Sequence, residues 1–229
     1  MNELEDDLTL ARYFPIDRFI GESGFLSAQS LYLPKLGKQH DPLEGLATKT
    51  TVKNILSSEK AAGNPGFVGQ ALLGVQGTMS KNATYVSCWT RCLEAKECSA
   101  KTYGNAALMV FTTVGKLKKI MPKTAKIRAV QYVDEIDDQK SISPDIINFQ
   151  KRKNFGWEQE VRIIDYCAHK GGLLSDTLKS APDHISYPFN PTSLISKIVL
   201  LPTIGVTGQI SVRCATKNAG IALPKKVNW

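Results

Sequence analysis

The sequence predicts an α+β fold with a mostly antiparallel sheet and helices concentrated in the N-terminal half. Three observations carry that prediction. Helical patterns gather before residue 101 and strand patterns dominate after it, without the strand–helix alternation a parallel sheet needs. The strand-like segments are short, rich in Val, Ile, Tyr or Thr, and bounded by Gly, Pro, Asn or Asp. No repeat, low-complexity tract or long linker divides the 229 residues, so residues 1–229 read as one domain.

The expected strands run over residues 25–33, 84–90, 106–113, 127–134, 160–167, 197–201 and 209–214. The expected helices cover residues 15–22, 42–60, 67–80, 91–101 and 144–153. The second helix has a start signal: Asp41 can cap it, Pro42 needs no N–H in the first turn, and Glu44 can reach back to the cap. Asn64-Pro65-Gly66 reads as a turn, and Gly171-Gly172 as a connection after a strand.

Charge narrows the partners. The net charge is +8, but the first 50 residues hold five Lys/Arg against eight Asp/Glu, so the remainder carries +11. Its densest run is Lys116, Lys118, Lys119, Lys123, Lys126 and Arg128, followed by Lys151, Arg152 and Lys153. Such runs attract anionic partners, although a solvated face is the simpler account of any one of them. The acidic start MNELEDDLTL lacks the form of a secretory signal, and no apolar run nears the ~20 residues of a membrane span. Five sparse cysteines without a CxxC pair (Cys88, Cys92, Cys98, Cys167 and Cys214) point to a reducing cytoplasm, with signal-less secretion as the other route.

Several chemistries have no support. Neither glycine cluster has Walker or dinucleotide-fingerprint spacing, no serine sits in a GxSxG elbow, and His40, His169 and His184 are too scattered for a metal site. Cys88 in an apolar strand reads as buried and inert.

Lys153 to Ile164 is the most informative segment. Read as a strand, it places Glu158, Glu160 and Arg162 on one face, with Val161 and Ile163 on the other. Two neighbouring carboxylates predict one raised pKa. The alternative is a helix in which Glu158 and Arg162 pair at i, i+4. Residues 85–90 alternate as a strand that offers Ser87 and Thr90 beside the ring of Trp89. Arg12, in an apolar start beside Tyr13, could hold a phosphate bidentately. Taken singly, a core strand and a surface ion pair explain these two as well.

Taken in order, these segments resemble an uncharacterised bacterial family, domain of unknown function twenty-nine seventy-one. The resemblance rests on Arg12-Tyr13, Leu26 to Leu33 leading to His40 through Gly45, Val86 to Thr90, Tyr103-Gly104, Val130-Gln131-Tyr132, Trp157 to Arg162 and Ile198 to Leu200. The family tends to carry a Trp shortly before the Tyr-Gly pair, where this chain has Ser99-Ala100-Lys101-Thr102. An early Arg, a middle Ser/Thr strand and a late Glu-x-Glu are also similar to the arginine-serine-glutamate ADP-ribosyltransferases. The exact Ser-Thr-Ser triplet of those enzymes is absent here.

That second resemblance implies a split β-sheet core and cleavage of the nicotinamide–ribose bond of NAD. ADP-ribose would pass to a protein, a nucleic acid or water, in a bacterial toxin, effector or defence protein. It implies Glu160 as the charge that stabilises the ribosyl cation and Glu158 as the group that orients or deprotonates the acceptor. Arg12 would hold phosphate, with Tyr13 beside it. Ser87 or Thr90 would bind Glu160 and ribose, and Trp89 or Tyr103 would stack on nicotinamide, with no metal. The rival is a non-enzymatic nucleic-acid-binding module built on the lysine runs. A nuclease using Asp41, Glu158 and Glu160 is disfavoured, because no suitably spaced lysine follows a strand-borne acid.

Overall fold

The computed structural model describes residues 3–39, 45–46, 49–63, 67–94, 100–101, 103, 105–134, 143–166 and 181–227. The Asp41–Glu44 capping signal, the Asn64–Gly66 turn, Gly171-Gly172, Cys98, Cys167, Gly104, His40 and His169 lie outside the described residues.

The strands are β1 (Thr9–Phe14), β2 (Ser30–Pro34), β3 (Thr84–Thr90), β4 (Leu108–Thr113), β5 (Lys126–Ala129), β6 (Gln131–Val133), β7 (Gln150–Arg152), β8 (Glu160–Tyr166), β9 (His184–Pro188), β10 (Lys197–Leu200) and β11 (Lys225–Lys226). The helices are α1 (Ile16–Ile20), α2 (Lys49–Ala61), α3 (Phe67–Ala83), α4 (Val114–Ile120), α5 (Pro144–Ile147), α6 (Pro191–Leu194) and α7 (Val206–Asn218). Seven strands form one sheet in the order β11-β10-β4-β1-β3-β8-β5, antiparallel except for β10 with β11. Two-stranded ladders join β2 to β9 and β6 to β7. The fold is α+β and mostly antiparallel, as the sequence predicts. Helices occupy both halves, α7 matching α2 in length.

Alternation along the central strands gives the sheet two unlike faces. Leu10 and Phe14 of β1, Tyr85 and Trp89 of β3, and Val161 and Ile163 of β8 point to one side, into the main core. We call this the core face. The other side, the acidic face, carries two smaller apolar clusters. One is built around Ala11, Tyr13, Met109 and Phe111, the other around Leu36, Val86, Phe149 and Ile164.

Local chemistry explains several elements. Thr113 ends β4 and accepts a hydrogen bond from the Lys116 N–H, so it caps α4, a helix the sequence reading did not foresee. Gly21 closes α1 where a Cβ would lie 2.3 Å from the Asp17 carbonyl oxygen, so only glycine fits that reversal.

The structure corrects some expected elements. Residues 209–214, predicted as a strand from Ile210 and Val212, belong to α7. There Val212 and Thr216, one helical turn apart, are buried while Ile210 is exposed. Periodicity of four outweighs the β-branched content. The predicted helix at 144–153 stops at Ile147 because Phe149 enters a core cluster and residues 150–152 pair with β6. The strand predicted at 127–134 breaks at Val130, whose N–H donates to the Glu160 carbonyl. Residues 91–94 are not helical, and the strand at 25–33 starts only at Ser30.

Candidate functional site on the acidic face

β8 starts at Glu160, as the expected strand at 160–167 does, and does not extend back through residue 158 as the strand reading of Lys153 to Ile164 requires. Lys153–Glu158 forms a 3-10 turn that ends at Gln159, whose φ of 46° and ψ of 46° place it in the left-handed region. The strand starts at Glu160, so Glu160 and Arg162 share a face by strand alternation, while Glu158 reaches the same place from the turn. Lys151 of β7 joins them. Its Nζ lies 2.6 Å from Glu158 Oε2 and 3.2 Å from Glu160 Oε2. Arg162 donates from Nε to Glu160 Oε1 at 2.8 Å and from Nη2 to Oε2 at 3.3 Å, and from Nη1 to the Asn148 carbonyl at 2.8 Å.

Two carboxylates and two cations thus form a neutral, buried set. Arg162 is 0% exposed, Glu160 2% and Glu158 7%. Burial pushes the Glu160 carboxyl upward, but Arg162 and Lys151 outweigh it and hold the group below the ordinary carboxylate range. The raised pKa expected of paired acids is therefore absent at Glu160, because each acid faces a cation as well as its neighbour. The Cys88 thiol, in register with Arg162, also hydrogen-bonds this carboxylate.

The surroundings fix the two acids further. Thr90, in register with Glu160, donates to the Glu158 carbonyl at 2.6 Å and accepts from the Cys92 N–H at 2.9 Å. The Tyr132 hydroxyl accepts from the Glu160 N–H at 2.8 Å, and its phenol is pushed up to about 12, chiefly by burial. Tyr13 and Tyr103 stack with ring centroids 5.3 Å apart and planes 16° from parallel. Burial raises the Tyr103 phenol well above its usual range, and the charges of Glu158 and Glu160 add to the rise. Arg128 of β5 is in register with Arg162, is partly exposed, and lies over the Phe149 ring, 5.5 Å to the centroid.

Of the predicted site residues, the structure gathers Glu158, Glu160, Thr90, Tyr13 and Tyr103 on the acidic face. It does not bring Arg12, Ser87 and Trp89 there. Arg12 shares the face of the core residues Leu10 and Phe14, and its Nη1 donates to Ser87 Oγ at 2.7 Å. Trp89 Nε1 donates to the same oxygen at 3.1 Å. Arg12 and Glu160 therefore lie on opposite faces of one sheet, a consequence of the two-residue period of β1.

Sequence reasoning placed Lys151 among solvated or nucleic-acid-binding cations and did not assign Tyr132, Cys88 or Arg128 to the site. Only Arg162 had a local signal, its even spacing from Glu160. A cavity of about 510 Å³, lined by Ile16, Ile20, Ala107, Thr203 and Ile204 among others, opens beside α1 and the start of α7 and includes none of the predicted site residues. Among the described residues no cluster of three His, Cys, Asp or Glu could hold a metal, and no helix is long and apolar enough to cross a membrane. Comparisons of the chain with protein-family models, curated proteins and solved structures found no match.

Proposed function

We propose that the acidic face binds NAD and cleaves its nicotinamide–ribose bond, passing ADP-ribose to a macromolecule or to water. The observation that carries this reading is a carboxylate, Glu160, held as an anion in a buried position beside a stacked tyrosine pair. The C1′–N1 bond breaks heterolytically and its electron pair leaves with nicotinamide, neutralising the pyridinium. The ribose becomes an oxocarbenium ion that a fixed carboxylate stabilises. An acceptor hydroxyl, amine or water then bonds to C1′ and loses its proton toward Glu158 or solvent. In this reading Tyr13 and Tyr103 stack on nicotinamide, Thr90 meets the ribose, and Arg128 replaces Arg12 as the cation toward phosphate.

The setting that fits is a reducing cytoplasm, for a bacterial toxin, effector or defence protein. The nucleic-acid reading has weaker support, because much of the basic run is engaged. Lys118 bridges Glu3 and Asp6 at 2.9 Å, Lys126 pairs with Asp145, Lys153 pairs with Asp134, and Lys151 belongs to the buried set.

Nicotinamide release by the purified protein tests the proposal, with protein, DNA, RNA and water as acceptors. The expected result is turnover by the wild type and a loss of about 100-fold or more in Glu160→Gln. Tyr103→Ala leaves the ion pairs intact and is expected to raise KM for NAD. Equal release from wild type and Glu160→Gln, or none from wild type with every acceptor, would sink the proposal.

A further inference from the structure

α7 is packed on one side only. Val212 and Thr216 are buried there, and Ala215 packs against the main core. Its outer side departs from the polar face of an ordinary surface helix. Val206 is 73% and Ile210 58% exposed, one turn apart, and partly exposed Arg213 and exposed Lys217 continue the same stripe at i+7 and i+11. Two aliphatic side chains and then two cations thus follow one another along a single line.

The apolar end of this stripe adjoins the cavity of about 510 Å³ beside α1, where Ile16, Ile20, Ala107 and Ile204 form an apolar wall that reaches Gly205 at the start of α7. The two helices are held close. A Cβ on Gly208 would lie 2.5 Å from Ile16 Cδ1, so glycine sets their approach and the groove is preformed. Exposed aliphatic side chains continuous with an apolar hollow mark an interaction surface.

Charge selects the occupant. From His184 to Trp229 the sequence has no Asp or Glu against five Lys/Arg. At a rise of about 1.5 Å per residue, Arg213 and Lys217 lie about 12 and 18 Å along the helix from Gly205. The cations therefore stand away from Asp17, the acid that lines the cavity. A second copy docked about a two-fold axis would set this stripe against itself and oppose its own cations. A lipid surface is flat and takes a broad apolar helix face, whereas here the apolar surface is a hollow beside two aliphatic side chains. A helix that presents aliphatic side chains to the hollow and carboxylates to the basic end matches both features.

We propose that the outer stripe of α7 and the adjoining groove form a docking surface for an acidic amphipathic helix of another protein. Its aliphatic side chains fill the groove and cover Val206 and Ile210, and its carboxylates meet Arg213 and Lys217. The surface shares no residue with the acidic-face site.

Selection from a displayed library of helical peptides tests this, with the enriched peptide then measured by fluorescence anisotropy against purified variants. The enriched peptides are expected to carry Asp or Glu together with aliphatic residues at i, i+3 or i+4. Ile210→Ser, at an exposed position that does not endanger folding, should weaken the selected peptide about tenfold or more, as loss of a covered aliphatic side chain requires. Arg213→Glu with Lys217→Glu should weaken it severalfold. Lys119→Glu with Lys123→Glu makes the same charge change at exposed positions elsewhere and should weaken it far less. No enriched peptide, an enriched pool without acids, unchanged binding in Ile210→Ser, or equal losses in the two charge-reversed pairs would overturn the proposal. So would a wild-type dimer in sedimentation that Ile210→Ser dissociates, or binding to anionic phosphatidylglycerol vesicles that Ile210→Ser abolishes, each of which assigns the surface to a different occupant.

Discussion

Arg162 and Arg12 rise from strands of the same sheet, and their surroundings differ in one respect that sets their chemistry. Arg162 is fully buried on the acidic face and meets Glu160 through two hydrogen bonds, with Asn148 satisfying a third donor. Arg12 is partly buried on the core face and, among the described residues, its guanidinium meets a hydroxyl and a ring rather than a carboxylate. A paired buried cation is a fixed structural element whose charge is already answered. A cation answered by neutral groups has no buried carboxylate that its removal would strand.

The sharpest way to break this contrast is to remove one partner on the acidic face. Glu160→Ala strands Arg162 and leaves Lys151 with Glu158 alone, and is expected to destabilise the protein by about 3–5 kcal/mol in denaturant unfolding. Replacing both partners, as Glu160→Leu with Arg162→Met, should recover part of that loss, because no unpaired pair member then remains.

Acid should act next. The folded-state pKa of Glu160 lies below its unfolded value. Its contribution is therefore fully present above the ordinary carboxylate range and is lost as pH falls through that range toward the lower folded value. Unfolding followed by circular dichroism should show acid sensitivity that diminishes in the Glu160→Leu, Arg162→Met double variant.

Arg12→Met should cost less, about 1.5–3 kcal/mol, since it removes one hydrogen bond from a charged donor to a neutral hydroxyl and strands no carboxylate. A loss equal to that of Glu160→Ala would show that the two faces are alike. The smallest effect belongs to Lys118→Ala. Its partners Glu3 and Asp6 are solvent-exposed, so the unfolding midpoint at physiological salt should not move measurably.

How much of this was legible in the sequence follows from the range of each signal. β3 was readable to the residue because alternation and flanking turns are local, and the same period placed Glu160 with Arg162. The left-handed Gln159 was not readable, since nothing in Trp157-Glu158-Gln159-Glu160 demands it. Lys151 reaches the acids only because β7 pairs with β6, a contact between distant segments. Arg12 shows the limit most clearly. Its strand and its neighbour Ser87 belong together as the motif order implied, yet the face it occupies depends on register across the sheet. One residue of shift would have carried it to Glu160. α7 was misread because Ile210 and Val212 have strand propensity, whereas Val212 and Thr216, one helical turn apart, are the residues it buries.

The division of labour between the faces is tested most directly by a crystal structure of the protein with NAD. The account predicts density on the acidic face, with nicotinamide against the Tyr13–Tyr103 stack, the ribose beside Glu160 and Thr90, and phosphate toward Arg128. Density for the dinucleotide on the core face at Arg12, with nothing near Glu160, would contradict it.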